Sequence, residues 1–145
     1  FCRDQNLNAH TSSAQEWLSQ LNDKSLGLIS GFHIIEHMRF QDLFEMIAQS
    51  YRVLAPNGLL ILETPNPENL LVGSHTFYHD HTHRNPITPT SLTFLLNYHG
   101  FIDLELIRLN PYPTKDRLPN ENALSERING HFYGPQDYGI VARKL

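Results

Sequence analysis

The sequence predicts an α/β domain, and three observations carry the prediction. Leu59 to Leu62 is an unbroken apolar run, the pattern of a strand buried on both faces of a helix-covered parallel sheet. Phe40, Leu43, Phe44, Ile47, Ala48, Tyr51 and Leu54 form a helical stripe just before it, opposite Gln41, Asp42, Glu45, Gln49 and Arg52. Leu26 to Ser30 precedes that helix as a short buried strand. Strand, helix and strand follow one another as in a right-handed crossover.

The remaining elements are read in chain order. Leu7 to His10 is a weak strand candidate. Ser13 with Glu16 makes a capping box for a helix carrying Ala14, Trp17, Leu18 and Leu21. Gly31 ends the next strand where a backbone without Cβ can approach something closely. Glu36-His37 opens the long helix, which runs into a tight turn at Ala55-Pro56-Asn57-Gly58. Residues 64–89 form a long loop rich in Pro, His and Asn, the kind that is functional or mobile. Thr88-Pro89 supplies N-cap and first-turn chemistry for a helix with Leu92, Leu95, Leu96 and His99 on its inner face, ended by Gly100. Ile102, Leu104 and Leu106 alternate with Asp103 and Glu105 as a half-exposed strand. Residues 110–136 read as an insertion with one short helix between Asn122 and Ile128, and Tyr138 to Arg143 is a final strand.

The 145 residues make a single domain, with a net charge of -4 and no basic stripe for a phosphate backbone, so nucleic acid is not an expected partner. The single Cys2 allows no internal disulfide, which fits a reducing cytoplasm. No apolar run approaches the ~20 residues of a membrane span. The first residue is Phe1 rather than Met, and the expectation is that a segment upstream has been removed.

Gly31-Phe32-His33-Ile34-Ile35-Glu36-His37, Arg52-Val53-Leu54-Ala55-Pro56-Asn57-Gly58 and Asn97-Tyr98-His99-Gly100-Phe101, in this order, resemble the C-terminal two-thirds of a class I S-adenosylmethionine-dependent methyltransferase. Glu63-Thr64-Pro65-Asn66-Pro67-Glu68-Asn69 and the segment Phe77 to Pro86 resemble the bacterial branch associated with lipopolysaccharide O-antigen biosynthesis. The resemblance implies a Rossmann-like sheet in the order three-two-one-four-five-seven-six, flanked by helices. Here it is incomplete: Leu7 to His10 resembles strand three, Leu26 to Ser30 strand four, Leu59 to Glu63 strand five, Ile102 to Leu109 strand six and Tyr138 to Arg143 strand seven. Strands one and two, with the family's glycine-rich loop and ribose-binding acid, have no counterpart. The expectation is an N-terminally truncated domain, inactive alone, whose exposed strand edge invites self-association.

The same resemblance places S-adenosylmethionine near Ser12, Ser13, Gly31, Phe32, His33 and His37. For Ser13 the alternative is a pure helix cap. For Glu36 and His37 it is a helix-dipole complement beside a packed histidine. In the 64–89 loop, Asp80 or His83 would take a proton from a saccharide or other small-molecule hydroxyl, with Tyr78 and Arg84 binding the acceptor. The alternative there is structural, with Asp80 paired to Arg84 and His83 bonded to backbone. No metal is expected, although His79, His81 and His83 would share one face of an extended segment with loose ligand spacing. The function implied is methyl transfer to a saccharide in surface-polysaccharide assembly; a non-catalytic or partner-completed subunit is the other reading.

Overall fold

A computed structural model describes residues 3–5 and 7–145. Its centre is a four-stranded mixed sheet in the order β1-β2-β4-β3, built from β1 (Leu26–Phe32), β2 (Leu54–Pro65), β3 (Phe101–Pro111) and β4 (Pro135–Lys144). β1 and β2 run parallel, while β4 is antiparallel to both β2 and β3. This is the expected order four-five-seven-six. The helices are α1 (Ala14–Ser19), α2 (Phe40–Val53), α3 (Leu70–Ser74), α4 (Pro89–Tyr98) and α5 (Ala123–Phe132).

Leu7 to His10 is not a strand. An extended segment becomes a strand only by laddering to a neighbour, and among the described residues nothing pairs with the outer side of β1.

The two faces of the sheet differ. Leu60, Leu62, Tyr138, Ile140 and Ala142 are buried beneath Leu18 of α1, Leu43, Met46 and Ile47 of α2 and Leu92, Leu95 and Leu96 of α4. On the opposite face Leu59 and Ile61 are only half-buried, and Leu28, Phe32 and Ile107 are exposed. Burial on both faces is therefore corrected to burial on one. The apolar run reflects an open sheet face that carries hydrophobic residues, the type of patch that marks an interaction surface. The strand read at Leu26 to Ser30 is correspondingly an exposed edge.

Several local expectations hold in adjusted form. The tight turn at Ala55 to Gly58 is an irregularity within β2, between the pairs Leu26–Leu54 and Leu28–Leu59. Asn57 takes a φ of 64° there, and a Cβ on Gly58 would sit 2.8 Å from the Ala55 carbonyl. The core stripe of α2 is rotated toward Met46 and Ser50, leaving Phe40 exposed. The 64–89 segment contains α3, and α5 extends the helix expected in the 110–136 insertion to Phe132.

His99 caps the end of α4, its ring edge-on to Phe44 at 4.4 Å. Its Nε2 is buried without a hydrogen-bond partner, and burial pushes the imidazole below its ordinary value of 6.5. The unfolded chain takes up that proton more readily than the folded one. Stability therefore falls as pH drops below 6.5 and levels off beneath the folded-state value. Urea unfolding on either side of 6.5 should show this slope reduced in a His99→Phe variant.

Candidate active site

The carboxyl ends of β1 and β2 lie side by side, with Phe32 paired to Glu63. Crevices beyond strand ends are where open α/β sheets take ligands. The chain leaves β1 through His33, whose φ of 52° is left-handed. A residue with a side chain is strained there and persists only where its surroundings over-determine it. His33 N–H donates to the Glu63 carbonyl at 2.9 Å. Its ring sits between two carboxylates, Nδ1 3.3 Å from Glu36 Oε1 and Nε2 3.3 Å from Glu63 Oε1.

The close approach expected at Gly31 is made by Ile34. A Cβ at Gly31 would lie 2.7 Å from Ile34 Cδ1 and 3.2 Å from Leu62 Cδ2, so the glycine lets Ile34 fold back onto the strand. Phe32 presents a ring that is 56% exposed at the crevice.

Glu36 and His37 do not open α2. They form a separate 3₁₀ turn, Ile35–His37, and α2 begins at Phe40 after an Arg39 cap. The helix-dipole reading of Glu36 is therefore replaced by a structural one. Its side chain is fully buried, Oε2 accepts from the Thr64 hydroxyl at 2.9 Å, and its carbonyl accepts from the Arg84 and Asn85 amides at 2.8 and 3.3 Å. This one residue joins β1, β2 and the loop.

The loop is not extended across its histidines. A 3₁₀ turn over Thr76–His79 is followed by a further turn, so His79, His81 and His83 do not share a face. His79 meets His75 edge-on at 4.6 Å, whereas His83 turns inward between Phe77 and His37, both at centroid distances below 5 Å (4.6 and 4.7 Å). His83 Nδ1–H donates to the Phe77 carbonyl at 2.6 Å, so in the neutral ring the lone pair is on Nε2, which lies 3.9 Å from Asp80 Oδ2. Asp80 bonds to the Thr82 amide and hydroxyl at 2.8 and 2.6 Å rather than to Arg84. Those bonds hold its carboxyl below the usual range and weaken it as a base. Tyr78 is exposed against Phe77. Arg84 is exposed as well, and its charge reaches Asp42.

Ser13 is engaged as a cap, with its hydroxyl accepting from the Glu16 amide at 3.2 Å and its own amide donating to Glu16 Oε2 at 3.1 Å. Ser12 is exposed in the bend before it. Ser13 and His37 nevertheless line one groove of about 520 Å³ with Gln15, Met38, Arg39 and Asp42. A second, larger cleft of about 860 Å³ at the same end of the sheet is lined by Asn66, Glu68, Asn69, Arg108, Arg127 and His131, among others. Thr82 and Thr64 were not legible as site residues, because their roles arise from partners 45 and 28 positions away. Glu63 carried a signal, a charge closing a buried strand at the end where ligands bind.

No protein-family model matches the sequence, and no curated protein matches it. Solved structures do. A SAM-dependent methyltransferase from Archaeoglobus fulgidus superimposes with a TM-score of 0.92 at 30% identity, over 97% of this chain and 69% of that one. A SAM-dependent methyltransferase from Thermotoga maritima gives 0.67 at 16% identity, over 99% and 66%. The Haemonchus contortus phosphoethanolamine N-methyltransferase 2, solved with phosphomonomethylethanolamine and S-adenosylhomocysteine, gives 0.63 at 15% identity, over 91% and 36%. The fold is thus that of class I methyltransferases. The chain belongs to the SAM-dependent methyltransferase family, and its cofactor is S-adenosylmethionine.

The described residues fit that cofactor on its sulfonium side. At the carboxyl end of β1 the exposed Phe32 and the partly exposed Glu63 carboxylate offer an aromatic and an anionic group to a cationic sulfur, with Glu36 buried behind His33.

Proposed function

We propose that the protein transfers a methyl group to a saccharide hydroxyl in the cytoplasmic assembly of a surface polysaccharide, as the likeness of Glu63 to Asn69 and Phe77 to Pro86 to the lipopolysaccharide-associated branch suggests. The observation that carries the reading is the inward His83, whose Nδ1 is committed to Phe77 and whose Nε2 is left to accept a proton. S-adenosylmethionine supplies an activated methyl group, so the chain's own work is alignment and proton removal. Gly31, Phe32, His33 and His37 hold the cofactor side, with Ser12 and Ser13 at the adenine end. His83 accepts the acceptor's proton, Asp80 orients the loop through Thr82, and Tyr78 and Arg84 meet the acceptor. The cleft that holds Arg127 and the Arg108–Glu68 ion pair accommodates the rest of the saccharide.

The open apolar face and the unpaired edge of β1 favour a second reading, in which this chain is a fragment, inactive alone, completed by an upstream segment, a partner or another copy. Incubation with methyl-labelled S-adenosylmethionine tests both readings, using the chain alone and a form extended by its upstream gene sequence. The acceptors are nucleotide-linked saccharides, amines and RNA. Label in saccharide from the extended form alone is expected; label confined to amine or RNA contradicts the acceptor assignment.

A further inference from the structure

We infer that Glu36, His37 and His83 form a binding site for one divalent transition-metal ion of the zinc type. These are not the three loop histidines singled out by spacing. Each of the three residues brings a ligand atom within 4.8 Å of the other two. Tetrahedral zinc ligands about 2.0–2.1 Å from the metal lie roughly 3.4 Å apart, so a ring movement on the order of 1 Å closes the set.

Three independent features of the residues point the same way. Glu36 is fully buried, with Oε2 taken by Thr64 and Oε1 left without a hydrogen-bond partner. His33 Nδ1 lies 3.3 Å from that oxygen, outside hydrogen-bond geometry. A buried carboxylate oxygen without a hydrogen bond is costly, and a cation relieves it. The tautomers of both histidines are fixed from behind. The Phe77 carbonyl can only accept, so it takes the Nδ1 proton of His83. The Thr82 hydroxyl donates to Asp80 Oδ1 at 2.6 Å and therefore accepts from His37 Nδ1 at 2.8 Å. Each Nε2 thus keeps its lone pair. A histidine whose far nitrogen is held by a carbonyl, or by a hydroxyl tied to a carboxylate, is the arrangement that orients metal ligands. Finally, the two rings are neighbours, edge-on at 62° with centroids 4.7 Å apart.

One carboxylate and two imidazoles leave open positions, as catalytic zinc sites do. Such a site lies where the acceptor hydroxyl is proposed to sit. An ion held there would bind the acceptor oxygen and lower its pKa, the proton passing to solvent; His83 Nε2 would then be a ligand in the loaded protein and the proton acceptor in the metal-free one. That role rests on the proposed acceptor chemistry, whereas the binding itself does not.

The test is titration of Zn²⁺ alone by calorimetry, and of Co²⁺ by visible absorption, into protein made without a metal-affinity tag and stripped with chelator. Circular dichroism checks each variant's fold. One equivalent is expected, with His37→Ala and His83→Ala each weakening it at least ~100-fold and Thr82→Val, which frees the His37 ring, ~10–100-fold. His79→Ala and His81→Ala should leave affinity unchanged. Absence of stoichiometric binding by folded protein overturns the proposal, as does an affinity set by His79 and His81. Because no methyl acceptor is present, the result stands apart from the saccharide assay.

Discussion

A His83→Ala variant is expected to lower kcat for saccharide methylation by about 10²–10⁴-fold, the range for losing a positioned proton acceptor. Affinity for S-adenosylhomocysteine should stay within a few-fold. The separation follows from position: His83 belongs to the loop and meets the cofactor side at the His37 ring, while Gly31, Phe32 and His33 lie at the end of β1. Asp80→Asn should cost far less, because its carboxylate already serves Thr82. Steady-state kinetics with cofactor and acceptor varied separately checks both. The arrangement is contradicted if the Asp80 variant is the more damaged of the two.

The second large effect is on stability, at Asn69. This side chain is buried. Its Oδ1 caps α3 by accepting from the Leu71 and Val72 amides at 3.0 and 3.3 Å, and Nδ2 donates to the Gly134 carbonyl at 3.1 Å. Asn66 works in parallel, with Nδ2 donating to the Pro135 carbonyl at 3.0 Å. Together they fasten the segment after β2 to the start of β4. Asn69→Leu keeps the size but orphans a buried amide, a part-buried one and a buried carbonyl. A loss of roughly 2–4 kcal/mol is expected from the missing cap and the unsatisfied groups. Denaturant unfolding measures it, and a change below about 0.5 kcal/mol would show that the segment repacks or reaches water.

These two residues show what the sequence could and could not disclose. The Thr-Pro-Asn-Pro-Glu-Asn segment stands out by composition, yet its asparagines hold carbonyls 65 and 69 positions away, which no local pattern encodes. Local rules succeeded where the chemistry is local. The Ser13–Glu16 capping box, the Thr88-Pro89 helix start and Gly100 at φ 94° were all legible. Periodicity found the strands but misjudged burial, because an apolar run looks alike whether helices cover one face or two. It also misread Leu7 to His10, since pairing belongs to a neighbour and not to the segment itself. At the site, His83 was legible as a residue type, but its inward direction and its convergence with Glu36 and His37 depend on the turn over Thr76–His79 and on a contact across 45 positions.

The most direct test of the account is calorimetric titration of S-adenosylhomocysteine into the protein, in the parent form and with Phe32→Ala and His33→Ala substitutions. The crevice at the ends of β1 and β2 predicts micromolar binding, near -8 kcal/mol, weakened about tenfold or more by either substitution. Unchanged affinity in both variants would place the cofactor elsewhere and contradict the site described.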